Sequence, residues 1–143
     1  MFLTDVNVLV YAHRHDSPDH EPHRQWLEGV INGDQAYGVS DQVLAGFLRV
    51  VTHPSVFDPP SRLEDALEFV AQLRDRHNAV LVSPGPRHWE IFDRLCRETR
   101  ASGNQIPDAF FAALAIESGS QWISTDQGFG RYDALDWRHP FQA

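Results

Sequence analysis

Apolar positions along the chain alternate between short blocks and longer amphipathic stretches, a pattern that predicts strands separated by helices. Residues 2–4 open an aromatic and β-branched run, and residues 6–11 continue it with apolar character. A first strand therefore ends near Asp5 and turns into a helical segment. Residues 20–32 carry Trp26, Leu27, Val30 and Ile31 on one helical face, with Gly33 as the stop. Residues 36–40 read as a short strand. Residues 41–52 place Val43, Leu44, Phe47, Leu48 and Val51 at helical spacing, and Pro54 ends that helix.

Ser61 followed by Glu64 has the form of a capping box, opening a helix with Leu63, Ala66, Leu67, Val70 and Leu73 as its stripe. A strand follows at 79–82. A helix at 86–99 is predicted to bury Trp89, Phe92, Leu95 and Cys96. Residues 104–118 are apolar nearly all round, with Pro107 in the first turn and Gly119 at the stop, so this helix belongs in the core. Residues 121–124 form the last clear strand. Short strands alternating with helices specify an α/β domain with a mostly parallel sheet, spanning residues 1–143 as one unit. No repeat, linker or low-complexity run divides it.

Composition changes this picture little. Of the 143 residues, 42% are hydrophobic and 22% charged, as in ordinary globular proteins. No apolar run reaches the roughly 20 residues of a membrane helix. The start, MFLTDVNVLVYA, lacks a basic region and carries an aspartate, unlike a signal peptide. One cysteine, Cys96, excludes an internal disulfide and points to a reducing cytoplasm. The net charge of −8 argues against gripping nucleic acid by bulk electrostatics. It is compatible with a nuclease whose carboxylates are neutralised by bound cations, and with a basic protein partner.

Three aspartates carry the candidate chemistry. Ligand sites in such sheets lie beyond the carboxyl ends of the strands. Asp5 falls at the end of the first strand and Asp126 just past the last. Asp108 stands in the first turn of the most apolar helix, where the backbone dipole favours an ionised carboxylate. Each residue alone has an ordinary explanation as a cap or turn aspartate. Together they make an oxygen-ligand set of the kind that Mg²⁺ or Mn²⁺ prefers. Asn7, two residues beyond Asp5, is predicted to share its side of a strand. Asn7 and Thr125 are candidates to orient the carboxylates, and Arg49 to touch substrate phosphate. The polar segment with His13, His15, Asp16, Asp19, His20 and His23 reads as a solvated loop and helix start rather than a zinc site. Asp41 reads as a helix N-cap. Cys96, Phe110 and Phe111 read as core, and Asp133 and Asp136 as surface. No G-x-S-x-G elbow or Walker A loop is present. The absence of lysine counts against a receiver domain, and Asn7 breaks the D-x-D of a haloacid-dehalogenase-type phosphatase.

At these residues the chain resembles PIN-domain proteins, in particular the VapC ribonuclease toxins of bacterial toxin–antitoxin pairs. The matching stretches are DVNVLVYA from Asp5, the His20, His23, Trp26, Leu27 helix, VSDQVLAGFLRVVTHP from Val39, IPDAFFAALA from Ile106 and STDQGF from Ser124. The resemblance implies a three-layer PIN-like fold, its short parallel sheet flanked by helices, with a Mg²⁺ or Mn²⁺ site of three or four acidic residues. It implies endonucleolytic hydrolysis of RNA, commonly tRNA or rRNA, by metal-activated water, leaving 5′-phosphate and 3′-hydroxyl ends. It also implies a VapB-type antitoxin and a homodimer. Carried over, Asp5, Asp108 and Asp126 match the first, third and fourth acidic positions. Gly46 stands where the second, a glutamate, is often found. That departure favours one cation over two, and supports the alternative of a PIN fold with lost catalysis that binds RNA or protein.

Overall fold

The computed structural model describes residues 1–142. Five strands, β1 (Phe2–Thr4), β2 (Tyr37–Val39), β3 (Ala79–Leu81), β4 (Gln121–Ile123) and β5 (Trp137–Arg138), form one sheet in the order β3-β2-β1-β4-β5. Every pairing is parallel. The six α-helices among the described residues are α1 (Val6–His13), α2 (His20–Ile31), α3 (Asp41–Val51), α4 (Leu63–Arg74), α5 (His88–Thr99) and α6 (Gln105–Ser118). The α/β architecture expected from the sequence is present. No helix among the described residues is long and apolar enough to cross a membrane.

The strand order contains the feature that positions the site. From β1 the chain builds outward through β2 and β3 on one side, then returns to place β4 and β5 on the other. The carboxyl ends of β1 and β4 therefore lie side by side where the winding reverses, with Thr4 opposite Ile123. Connections leave such a point in opposite directions and open a crevice there. The backbone N–H of Asp5 donates to Ile123 O at 2.9 Å, so the ladder extends to the first candidate ligand.

Helix α6 fills the centre. Ala109, Ala112, Ala113, Leu114 and Ala115 are buried, and small side chains let a helix lie close to its neighbours. Phe111 stacks on the fully buried Trp122 of β4 at 5.5 Å between ring centroids. Gly119 takes the left-handed conformation (φ 67°) that stops the helix, as its place after Ser118 predicts. Because α6 leads directly into the parallel strand β4, its N-terminus and Asp108 stand at the carboxyl edge of the sheet.

Several local expectations need correction. The apolar run at 6–11 is helix α1 rather than more strand, so Asn7 sits in a first helical turn. Ser40, not Asp41, caps α3, its side chain accepting from Val43 N; Asp41 pairs with Arg74 at 3.0 Å. Ser61 forms no capping box: α4 starts at Leu63, and the Ser61 hydroxyl meets His13 Nε2 at 3.1 Å and Arg14 Nη1 at 3.2 Å. Helix α5 buries His88, Ile91 and Leu95, which leaves Trp89 70% exposed. The two-residue strand β5 is too short to carry a periodic signal.

Candidate metal centre

Asp5 is the N-cap of α1. Its Oδ1 accepts from Val6 N at 2.7 Å and its Oδ2 accepts from the Ser124 hydroxyl at 2.7 Å. A capping aspartate ordinarily sits in water, where those bonds hold its pKa low. Asp5 is instead only 8% exposed. Burial pushes its pKa up from 3.8 to about 6, and the charges of Asp108 and Asp126 push the same way, against the bonds from Ser124 and Val6. A capping role does not account for this.

Ser124, immediately after β4, is the hub that the sequence reading missed. Its fully buried hydroxyl donates to Asp5 and accepts from Asp126 N at 3.0 Å and Asn7 Nδ2 at 3.3 Å. One donated and two accepted bonds use its whole capacity. Its carbonyl accepts from Trp137 Nε1 at 3.0 Å, which ties the hub to β5. The predicted orienting residues thus divide. Asn7 joins the network from α1, and its Oδ1 is buried without a partner. Thr125 makes none of these bonds; its neighbour Ser124 does.

Asp126 begins a short 3₁₀ turn, Gln127–Arg131, and its Oδ1 accepts from Gly128 N at 2.8 Å. Asp108 is half-buried in the first turn of α6. Burial raises its pKa and the charge of Asp126 adds to that, while Arg131 opposes both. The ionising influence expected of the helix start is outweighed. Arg131 Nη1 stands 3.9 Å from Asp108 Oδ2. Asp5 and Asp108 each feel Asp126, so three elements remote in sequence bring the three predicted carboxylates into one electrostatic neighbourhood.

The PIN-domain family model matches residues 2–135 of the chain. The chain belongs to the PIN-domain family. Within that family it is similar to the VapC ribonucleases. It is 46% identical over 140 residues to ribonuclease VapC43 of Mycobacterium tuberculosis, covering 98% of this chain and 95% of the relative. With ribonuclease VapC25 of the same organism it shares 41% identity over 135 residues, covering 94% and 95%. Among solved structures, VapBC2 from Rickettsia felis bound to a DNA fragment from their promoter superposes with a TM-score of 0.70 at 18% identity, covering 96% of this chain and 97% of that one. That likeness establishes the fold.

In this PIN domain the donor set suits a hard divalent cation. It comprises the carboxylates of Asp5, Asp108 and Asp126, the last of which raises the pKa of the other two, and an orphaned buried amide oxygen on Asn7. Among the described residues, no three His, Cys, Asp or Glu side chains stand close enough together to form a ready-made cage. Asp108 faces Arg131. In the histidine-rich segment, His23 is buried and its Nδ1 donates to Asp19 O at 2.7 Å, and His20 Nδ1 donates to Tyr11 O at 2.8 Å, so both nitrogens are engaged with backbone.

Gly46 lies on α3 facing α1, where a Cβ would meet Val6 Cγ2 at 3.0 Å. The helix face nearest α1 therefore carries no carboxylate and has little room for one without a shift of Val6. Arg49 is exposed on α3, one residue from Val50, which lines a groove of about 360 Å³ with Asp5, Val6, Asn7, Val10, Tyr11, Val56 and Phe57.

Proposed function

We propose that the chain is a metal-dependent endoribonuclease of the VapC type, in which Asp5, Asp108 and Asp126 would hold Mg²⁺ or Mn²⁺. The observation that carries this reading is the buried Asp5 carboxylate at the point where the sheet reverses, its pKa raised by burial and by the charges of Asp108 and Asp126. It is supported by 46% identity to curated VapC ribonucleases. Elevated carboxylates that gain from a cation are what a functional site needs and a purely structural one avoids. A bound divalent cation supplies the positive charge that lets a phosphodiester approach three carboxylates, and makes water acidic enough to attack it.

The chain's own residues do the positioning. Val6 N and the Ser124 hydroxyl fix both oxygens of Asp5, Gly128 N fixes one oxygen of Asp126, and Asn7 completes the network through Ser124. We read the chain as one PIN-like domain, residues 1–143, working in the cytoplasm on RNA, with tRNA and rRNA as the substrate classes. Its partners on this reading are a VapB-type antitoxin, as in the VapBC complexes it resembles in fold, and a second copy of itself.

A second reading, a PIN fold that binds RNA or protein without cutting, is favoured by Gly46 and by the open arrangement of the carboxylates. Incubating purified protein with total cellular RNA, in Mg²⁺ and in EDTA, separates the two. Cleavage that requires Mg²⁺ and disappears in Asp5→Ala is the expected result. Intact RNA with folded protein in Mg²⁺ would favour the binding module.

A further inference from the structure

We infer that Arg131 is the residue that receives the phosphate of the RNA chain, an inference that rests on the ribonuclease reading above. In a chain of net charge −8, the candidate site adds three carboxylates where a polyanion must bind. A cation from the protein itself has to meet it. The arginines whose guanidinium groups hydrogen-bond carboxylates are engaged elsewhere: Arg14 with Asp16, Arg24 with Glu21 and Glu28, Arg74 with Asp41, Arg97 with Asp93 and Arg138 with Asp136. Among the described residues, Arg131 is the one paired with a site carboxylate.

The local chain is arranged to admit it. A Cβ at position 128 would stand 2.6 Å from Arg131 Nη2 and 3.0 Å from Asp126 Oδ1. A side chain at 128 would push the flexible guanidinium aside, so glycine lets it and the Asp126 carboxylate approach the same point. One 3₁₀ turn brings Arg131 back over Gly128 and beside Asp108. At 3.9 Å the contact with Asp108 is an ion pair, too long for a hydrogen bond, so that carboxylate leaves the guanidinium's donors free. The side chain is 31% exposed and its Cζ lies 5.6 Å from the Tyr132 ring centroid, a loose support from which it can turn toward a ligand. A planar guanidinium pairs with phosphate through two parallel bonds, which a point charge cannot do.

The test is the salt dependence of RNA binding. A fluorescein-labelled single-stranded RNA is titrated with the whole protein by anisotropy, with Ca²⁺ in place of Mg²⁺ and the RNA checked on a gel for integrity. One phosphate contact contributes about 0.7 to the slope of log affinity against log salt. Arg131→Gln is expected to weaken binding about ten- to hundredfold and to lower the slope by about 0.7. Arg131→Lys should restore the slope but only part of the affinity. Arg97→Gln, which removes one exposed charge on α5, should change neither. An unchanged slope in Arg131→Gln, or an equal loss in Arg97→Gln, would overturn the assignment while leaving the ribonuclease reading intact. Wild-type protein that binds no RNA would overturn both. Matching thermal unfolding of all four proteins excludes misfolding as the cause.

Discussion

Replacing Asp5 by Asn is expected to abolish RNA cleavage while making the protein more stable at neutral pH. The loss of activity should be at least about 10²–10³-fold, the cost of removing one preorganised electrostatic group from an active site. The gain in stability follows from the raised pKa. A carboxyl whose folded pKa lies above its unfolded one contributes stability below the unfolded value, and that contribution is lost as pH rises through the folded value. For Asp5 the window runs from 3.8 to about 6. At pH 7 the ionised, buried side chain therefore costs the fold up to about 3 kcal/mol, at 1.36 kcal/mol per pKa unit. Asn removes that charge and keeps an oxygen for Val6 N. Urea unfolding in EDTA at pH 5 and pH 7.5 measures it: the variant's advantage should be larger at the higher pH. Comparing the two proteins matters because His13 and His23, both held below their ordinary pKa by burial, make wild-type stability rise with pH. Equal stability of the two proteins at both pH values would contradict the electrostatic account of Asp5.

Ser124→Ala should have the second largest effect. Its hydroxyl serves Asp5, Asp126 N and Asn7 at once and is fully buried. Without it, a backbone N–H and an amide lose their acceptor, a loss of roughly 1–3 kcal/mol in stability for a buried group left unpaired. Asp5 loses a bond that favours its charged form, so its pKa moves still higher. The variant should cut RNA about 10–100-fold more slowly, as when groups that orient metal ligands are removed. The acid limb of its pH–rate profile should move to higher pH than that of the wild type. A slow variant with an unmoved limb would mean that Ser124 supports the fold without setting the charge of Asp5.

The aspartates were legible in the sequence because their positions follow from topology. Parallel strands force their working ends to one edge, and Asp5 and Asp126 lie within three residues of the ends of neighbouring strands. Ser124 was not legible. Strand alternation would pair it with buried Trp122, but Ile123 between them is also fully buried, so no alternation marks its side. Asn7 was placed near Asp5 for a mistaken reason: the apolar run after Asp5 has the composition of a strand and the geometry of a helix. Trp89 was misplaced because α5 buries His88 in its stead, the imidazole meeting Phe110 O at 2.9 Å. Arg131 carried no motif, and its relation to Gly128 exists only once the 3₁₀ turn is formed.

The most direct test of the central claim is Mn²⁺ binding followed by electron paramagnetic resonance, in wild type and in Asp5→Asn, Asp108→Asn and Asp126→Asn. One bound Mn²⁺ in the wild type, weakened about tenfold or more in each variant, is the expected result. Binding of the same strength in all four proteins, or none in the wild type, would contradict a metal centre built on these three aspartates.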